Sequence, residues 1–272
     1  MAKKVGVDLG GTHIRAGIVE NGKVANYIKI KTPKTKEKLL KKLCEVISLS
    51  LEKGGKEIHE IGIASPGPLK NGVIENTPNI PLQNFNLKKF LEKKFRKKII
   101  VQNDVKCIAL SELNYGIKKK NFIVIALGTG VGGGIIIGKS LYTGKGNAGE
   151  VGHMIIEGKK DLEYFWKRSL KKMKKDYGKE FFIKNIMKSK DKNGKLILNE
   201  IYTFLGIGIG SLVNIFDPEE IVLMGGVREA GNKFTKELAK EAKKYTILKR
   251  FPKISWSKIK HPGVLGAGLL FE

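Results

Sequence analysis

The sequence of 272 residues contains only two cysteines, Cys44 and Cys107, and no C-x-x-C pair. A disulfide framework and a cysteine-rich metal site are therefore not expected, and two reduced cysteines in a cytoplasmic protein are the simpler interpretation. We find no run of about eighteen apolar residues, which a membrane-spanning helix needs. The first residues lead straight into a strand pattern without the apolar core of a signal peptide. We predict a cytoplasmic protein with no membrane partner.

Arginine is scarce in a strongly basic chain. Only five of the 52 basic residues are arginines, against 26 acidic residues, and the formal net charge is +26. Arginine is the usual side chain for reading guanine and paired phosphate oxygens, and no aromatic residues interleave the lysines as a base-stacking surface requires. We therefore expect a solvated lysine surface and no specific nucleic-acid partner. The charge can still attract anionic substrates such as a nucleoside triphosphate.

Apolar strand patterns and amphipathic helix patterns alternate along the chain, which predicts an α/β fold. The length suits one or two domains. Two segments, 5–19 and 125–137, share the order strand, glycine turn, strand, and suggest two similar domains. Chance is the alternative, because this pattern is common. We predict a small domain of residues 1–104 completed by 260–272, and a large domain of residues 105–259.

The glycine-rich stretch from Ala126 to Ser140 admits three interpretations. Its glycines match the dinucleotide pattern G-x-G-x-x-G, but they lead into a β run and not into a helix. Residues 133–140 match a P-loop, yet three isoleucines occupy the loop that would wrap the phosphate. We favour a β-hairpin whose glycine turn exposes backbone N–H groups to a phosphate. An ordinary hairpin remains the alternative.

Four polar residues are candidates for chemistry. Asp104 follows Asn103 at a strand-to-helix junction, where open α/β sheets place ligands, although a plain helix N-cap is the simpler role for Asp104. Glu150 and His153 lie three residues apart in a glycine-rich loop. Their spacing suits a metal pair, but no further histidine or cysteine completes one. Carboxylate, amide and imidazole groups are also the groups that bind sugar hydroxyls.

Together these motifs resemble the ROK family of repressors, open reading frames and sugar kinases. Their order and spacing match the family from residue 5 to Gly268. The matching motifs are Val5–Arg15, Ser65–Pro68, Asn103-Asp104, Leu127–Gly134, Gly149–His153, Asp217–Glu219 and Met224–Gly226. The resemblance implies a two-domain actin-like, hexokinase-like (ribonuclease H-like) fold with ATP and sugar in an interdomain cleft.

The resemblance also implies residue roles. Asp104 matches the catalytic base that takes the proton from the sugar 6-hydroxyl, and Asp8 lies near Mg²⁺. The sugar contacts match Asn103, Glu150 and His153. The ATP-binding motifs match Gly10, Gly11, Thr12, Gly128, Thr129, Gly130, Gly225 and Gly226.

One segment departs from the family pattern. Many members carry a zinc motif after the histidine, Cys-x-Cys-Gly-x-x-Gly-Cys-x-Glu, whereas residues 157–164 of this chain contain no cysteine. We therefore expect no structural zinc. Glu163 corresponds to the final glutamate of the motif and is a further candidate sugar contact.

The favoured hypothesis is an ATP-dependent hexose kinase acting on glucose or a related hexose; an N-acetylhexosamine such as N-acetylmannosamine, or fructose, is the alternative substrate. A sugar-sensing regulator is the second hypothesis, but the first strand begins at Val5, which leaves no room for a preceding DNA-binding module. An ATPase or phosphatase without a sugar is the third. The family suggests a homodimer.

Overall fold

The computed structural model describes residues 2–178, 183–188 and 191–272, in which strands and helices alternate, and the predicted α/β class is confirmed. The strands are β1 (Lys4–Leu9), β2 (His13–Glu20), β3 (Lys23–Lys31), β4 (Glu60–Ser65), β5 (Leu69–Lys70), β6 (Val73–Ile74), β7 (Phe85–Asn86), β8 (Lys98–Asn103), β9 (Phe122–Leu127), β10 (Val131–Ile137), β11 (Ser140–Tyr142), β12 (Ile155–Glu157), β13 (Lys160–Asp161), β14 (Glu220–Gly225) and β15 (Lys253–Trp256). The helices are α1 (Lys36–Gly54), α2 (Leu87–Phe95), α3 (Asp104–Tyr115), α4 (Leu162–Tyr177), α5 (Ile183–Lys188), α6 (Lys192–Phe216), α7 (Gly231–Ala242) and α8 (Pro262–Gly268).

The chain forms two compact units, each with its own hydrophobic core. The first unit comprises Met1–Lys118, Thr143–Ala148 and Lys258–Glu272, and the second comprises Lys119–Tyr142 and Gly149–Ser257. Helix α3, which begins with Asp104, belongs to the first unit. The predicted domain boundary at residues 104 and 105 stays a prediction.

The first unit is built on a five-stranded sheet in the order β3-β2-β1-β4-β8. Strands β1, β2 and β3 are antiparallel, and β1, β4 and β8 are parallel. Asp8 on β1 pairs with Ala64 on β4, and the neighbouring Ser65 pairs with Asn103 on β8. Because parallel strands end at the same edge of a sheet, this register puts the Asp8–Thr12 turn and the Asn103–Asp104 junction on one edge.

The second unit repeats this topology. Its sheet has the order β11-β10-β9-β14-β15, again with antiparallel pairs on one side of β9 and parallel pairs on the other. Hairpin β9–β10 takes the place that β1–β2 has in the first sheet. This correspondence of strand order and direction supports the duplication that the two glycine hairpins suggest.

Helix α6 is, within the described ranges, the only helix long and apolar enough to cross a membrane. The sequence predicts an apolar helix over Glu200–Phe216, but glycines and a glutamate interrupt its apolar positions, so no run of about eighteen apolar residues marks it. More than half of its apolar window, 56%, is buried, and its side chains form much of the second core. A buried core helix passes the same length test, so α6 gives only weak support for a membrane span.

Helix α8 packs against the first sheet through backbone contacts that only glycine permits. A Cβ atom at Gly62 on β4 would lie 1.8 Å from the carbonyl oxygen of Ala267, and one at Gly6 on β1 would lie 2.1 Å from that of Val264. On its other side, a Cβ at Gly266 would lie 1.6 Å from the carbonyl oxygen of Cys107 in α3. The three glycines therefore set the distances between α8, the sheet and α3.

We predict that Gly62→Ala destabilises the protein by about 2 kcal/mol or more, because the added methyl group meets backbone atoms that cannot rotate away. Gly226→Ala is the comparison variant, since no atom lies within 4 Å of its Cβ position. We expect the urea unfolding midpoint to fall for Gly62→Ala and to change little for Gly226→Ala. Equal midpoints for the two variants would contradict the close contact.

Candidate functional site

The junction between β8 and α3 holds the predicted catalytic pair. Asn103 is the N-cap of α3: its side-chain oxygen accepts hydrogen bonds from the backbone N–H groups of Val105 (2.9 Å) and Lys106 (3.2 Å). Asp104 is the first helical residue, so the sequence-based assignment of Asp104 as the N-cap is wrong by one position. The Asn103 oxygen already satisfies two of the free N–H groups at the helix start. The carboxylate of Asp104 is half-buried and accepts a hydrogen bond from the N–H of Val105 at 2.9 Å.

The turn between β1 and β2 carries Gly10, Gly11 and Thr12, and Asp8 lies just before it, near the end of β1. The carbonyl oxygens of the turn are held by the chain that follows β3: Thr32 donates its hydroxyl to Gly10 (2.6 Å) and its N–H to Thr12 (2.9 Å). Close packing explains one glycine, because a Cβ at Gly11 would lie 2.9 Å from a backbone oxygen of a neighbouring loop. The turn is thus rigid, and Thr12 at its tip is exposed.

Asp8 is paired with Arg15 across the same hairpin. The guanidinium Nη1 of Arg15 donates to Oδ2 of Asp8 at 2.8 Å. Burial raises the pKa of the Asp8 carboxyl, and the charge and hydrogen bond of Arg15 oppose that rise. The pKa of Asp8 is raised overall, and its side chain lies at the edge of the first sheet, oriented by the guanidinium of Arg15.

The second glycine turn, between β9 and β10, is fixed from one side by helix α4. Trp166 donates its indole N–H to the carbonyl of Gly128 at 2.9 Å. Glu163 accepts the N–H of Val131 at 2.9 Å, and a Cβ at Gly130 would lie 2.1 Å from the same carboxylate oxygen. Gly128 and Thr129 remain exposed at the tip. The structure therefore places Glu163 directly against the predicted phosphate turn, a contact that the sequence did not indicate.

Gly225 and Gly226 lie beside this turn. Strand β14 runs parallel to β9, and Gly225 pairs with Leu127, the residue that precedes the turn. Gly225 has a φ of 114°, and a Cβ there would lie 2.1 Å from the carbonyl oxygen of Leu127. The structure thus brings both predicted nucleotide motifs of the second unit to the same edge of its sheet.

The loop that carries Glu150 and His153 packs on β10 through glycine contacts. A Cβ at Gly152 would lie 2.1 Å from the carbonyl oxygen of Val131, and one at Gly149 would lie 2.7 Å from that of Gly133. The loop forms a short 3-10 turn over Val151–His153. His153 is exposed at its end and Glu150 is half-buried at its start.

His153 has a partner that the sequence analysis missed. Its Nδ1 lies 2.8 Å from Oδ2 of Asp161, which also accepts the N–H of Tyr164 through Oδ1 as the N-cap of α4. The hydrogen bond with Asp161 raises the pKa of His153, burial opposes the rise, and the charges of Glu163 and Glu150 add to it. The sequence feature that could have drawn attention to Asp161 is its position before a helix, since an aspartate there commonly accepts the N–H three residues later.

The described part of the chain contains no group of three or more histidine, cysteine or acidic side chains placed to hold a metal ion. Cys44 is partly buried and Cys107 is fully buried, and both are free thiols. Burial raises the pKa of Cys107 well above its usual value, which keeps the thiol protonated. The absence of structural zinc stays a prediction.

The predicted site residues therefore form two groups. Within the first unit, the structure puts Asp8, the Gly10–Thr12 turn and the Asn103–Asp104 pair on one sheet edge. Within the second unit, Gly128–Gly130 and Gly225–Gly226 share an edge, with Glu163 against the turn. Glu150 and His153 lie in a loop that packs against the adjacent strand β10.

Comparison with known proteins gives the family of the chain. The family model described as "ROK family" matches residues 4–272. A glucokinase of Thermotoga maritima is 26% identical over 99% of this chain and 97% of its own length. A xylose repressor of Caldicellulosiruptor bescii is 30% identical over 96% of this chain and 75% of its own length.

A solved structure gives the fold. A ROK family glucokinase from Streptomyces griseus, in complex with glucose and AMPPNP, superposes with a TM-score of 0.85 at 25% identity and covers 98% of both chains. The predicted two-domain actin-like sugar kinase fold is confirmed by this match. The relatives include both kinases and a repressor, so the fold by itself does not separate the two activities.

Asn103 caps α3 and is also a candidate sugar contact, and its role as the cap leads to a prediction about stability. We expect Asn103→Ala to lower the unfolding free energy by about 1 kcal/mol, because the first turn of α3 loses its cap. Asn103→Asp keeps the accepting oxygen and should retain near wild-type stability. Urea unfolding of the two variants measures this difference. Equal losses of unfolding free energy in both variants would show that the accepting oxygen of the cap does not stabilise α3.

Proposed function

The chain belongs to the ROK family, and we propose that it is an ATP-dependent hexose kinase that phosphorylates the 6-hydroxyl of glucose or a related hexose. The observation that carries the proposal is the Asn103–Asp104 pair. A half-buried carboxylate lies at the start of α3, on the same sheet edge as a rigid glycine turn with an adjacent acidic residue. This is where α/β sheets bind ligands. The similarity to glucokinases supports the same activity.

Asp104 acts as the general base in this proposal. Phosphoryl transfer depends on alignment and on neutralisation of charge more than on covalent catalysis. Asp104 accepts the proton of the sugar hydroxyl as the oxygen bonds to the γ-phosphorus of ATP, while the bond from that phosphorus to the β,γ-bridging oxygen breaks and ADP leaves. The hydrogen bond from Val105 N–H, 2.9 Å long, holds one carboxylate oxygen and so orients the other.

The two glycine turns bind the phosphates of ATP. Each turn has an exposed threonine at its tip, Thr12 or Thr129, whose hydroxyl adds to the backbone N–H groups. Gly225 and Gly226 contact the adenosine. The residues present fit a magnesium ion, because Mg²⁺ in phosphotransferases is bound mainly by phosphates and water with one or two carboxylates. Asp8 would hold it, and the ion would neutralise charge on the phosphates.

The sugar is bound by Asn103, Glu150, His153 and Glu163. The Asn103 oxygen is engaged by the helix start, so its amide N–H₂ is the group that donates to a sugar hydroxyl. Glu163 is engaged by Val131 N–H and by Lys167 at 2.5 Å, which orients its carboxylate. Glucose is the first substrate to test, with N-acetylmannosamine, other N-acetylhexosamines and fructose as alternatives that differ at only a few hydroxyls.

A sugar-sensing regulator is the second candidate, because a xylose repressor is among the relatives. The net charge of +26 also suits a polyanionic partner. The Asp104 carboxylate favours catalysis, since a regulator that only senses sugar needs no base at the 6-hydroxyl.

We predict that Asp104→Asn lowers kcat by about two to four powers of ten, because the proton acceptor is lost, while the Kd for the sugar changes little. The measurement is ADP release in a coupled assay over a panel of hexoses with ATP and Mg²⁺, with calorimetry for sugar binding. Asp176→Asn is the matched control, since it removes an exposed carboxylate of α4. Near-normal turnover in Asp104→Asn would refute its role as base, and the absence of sugar-dependent ADP release in the unmodified protein would refute the kinase.

We also predict that DNA binding by this protein is electrostatic. Lysine-rich surfaces release counterions from DNA, so the affinity should fall steeply with salt and show no sequence preference. Mobility-shift titrations of unrelated duplexes at low salt and at about 0.15 M salt measure this. Salt-resistant binding to one sequence that a sugar reverses would favour the regulator.

A further inference from the structure

The segment after His153 folds into a small hairpin that returns to it. Strands β12 and β13 are antiparallel, and Ile155 pairs with Asp161. The turn between them contains Gly158, whose φ of 57° suits glycine. This pairing returns the chain to a point two residues from His153, which explains how side chains eight positions apart meet at 2.8 Å.

Asp161 is held on both of its oxygens. Oδ1 accepts the N–H of Tyr164 at 2.7 Å as the N-cap of α4, and Oδ2 faces Nδ1 of His153. The helix cap fixes the direction of the carboxylate before it meets the imidazole. Asp161 is the less exposed partner, with 25% of its side chain accessible against 61% for His153. A fixed acceptor therefore orients an exposed ring.

The position of Asp161 in the sequence relates its pair with His153 to the zinc motif of the family. If Glu163 corresponds to the last residue of the family's Cys-x-Glu ending, Asp161 stands where the zinc motif has its last cysteine. The chain places a carboxylate there, and the hairpin β12–β13 occupies the segment of the missing motif. A hydrogen bond between two side chains thus ties this segment to His153.

We propose that Asp161 is a positioning residue that holds the Nδ1–H of His153 and so presents Nε2 to a sugar hydroxyl. The proposal rests on the proposed function for the role of Nε2. The orientation of the ring stands independently of it. In a neutral imidazole one nitrogen donates and the other accepts, and the bond made by one nitrogen decides the role of the other. A carboxylate can only accept, so Asp161 selects the tautomer that leaves Nε2 as the acceptor.

The surrounding charges act in the same direction. Three acidic groups face His153: Asp161 from β13, Glu163 from α4 and Glu150 from the preceding loop, and all of them raise its pKa against a smaller effect of burial. For Asp161, burial raises the pKa, but the bonds from His153 and Tyr164 N–H and the charge of Lys167 outweigh it and lower the pKa overall. Asp161 therefore stays ionised while His153 titrates. Above its pKa, His153 offers Nε2 as an acceptor, and below it Nε2–H becomes a donor.

The test uses Asp161→Asn in the full chain. Asparagine is as good an N-cap as aspartate, so α4 should keep its start, but the amide N–H₂ donates toward Nδ1 and selects the opposite tautomer. We expect the His153 pKa to fall and its Nδ1–H form to be lost, measured by ¹H–¹³C and ¹⁵N NMR of the imidazoles across pH. The chain has four histidines, and His153→Gln assigns the signal. An unchanged pKa and tautomer would overturn the proposal.

Asp191→Asn is the matched control. Asp191 caps α6 in the same unit by accepting the N–H of Gly194 at 2.7 Å, so this variant makes the same change of charge at a helix start away from His153. We expect it to leave the His153 signal unchanged. Should Asp161→Asn fail to fold, Asp161→Ser supplies a second cap without a carboxylate and is read by the same titration. Dialysis of the unmodified protein against EDTA should not move the His153 signal, and a shift would show that a metal orients the ring.

Kinetics give the second readout. In Asp161→Asn we expect the KM for the sugar to rise on the order of tenfold, since a hydrogen bond between charged or polar groups at the sugar is misdirected, with a smaller change in kcat. An unchanged KM together with a shifted His153 pKa would overturn the role of Nε2 and leave the ring orientation intact. If the unmodified protein shows no sugar-dependent ADP release, the kinase is refuted, and the NMR titration still decides the role of Asp161 toward His153.

Discussion

Direct backbone contact at glycine is the constraint on which the first unit depends. Helix α8 touches β1 and β4 at Gly6 and Gly62 and touches α3 at Gly266, with no side chain between the backbones. A helix held this close cannot move without moving both neighbours, because protein interiors are packed at the density of organic crystals. Strand β1 carries Asp8, and α3 begins with Asp104. The spacing between these two carboxylates is therefore fixed by the same contacts that close the core, and Gly263 of α8 lies directly against the Asp8 side chain.

Direct backbone contacts at glycines also occur at the candidate site of the second unit. Gly149 meets the backbone of β10, Gly152 meets Val131, and Gly225 meets Leu127. Each contact brings a loop or strand end onto the hairpin β9–β10. The two sheets share their strand order, but only the second hairpin is held from one side by Trp166 and Glu163. A common topology thus supports two turns that are stabilised by different partners.

Much of the fold could be predicted because strand and helix patterns are local. The hairpins around Gly10 and Gly128, the α/β class and the position of the Asn103–Asp104 junction follow from apolar runs and turn residues within a short window. The residue that caps α3 could not be predicted from the sequence, because Asn103 and Asp104 are both good caps. The point at which β8 ends decides between them. The bond between His153 and Asp161 was also missed. It depends on the register of a three-residue strand against a two-residue strand, and such short strands give no periodic signal.

Basic residues outnumber acidic residues by 52 to 26 in this chain, and four carboxylates at the candidate site are bound by donors. Asp8 is held by Arg15, Asp104 by Val105 N–H, Asp161 by His153 and Tyr164 N–H, and Glu163 by Val131 N–H and Lys167. Many of the remaining acidic groups form exposed pairs with lysine, which contribute little to stability. The site carboxylates are therefore not available to pair with the many surface lysines, since backbone N–H groups and a few specific side chains already bind them. Positive charge can accumulate on the surface for attraction of anions while the orientation of the site stays independent of it.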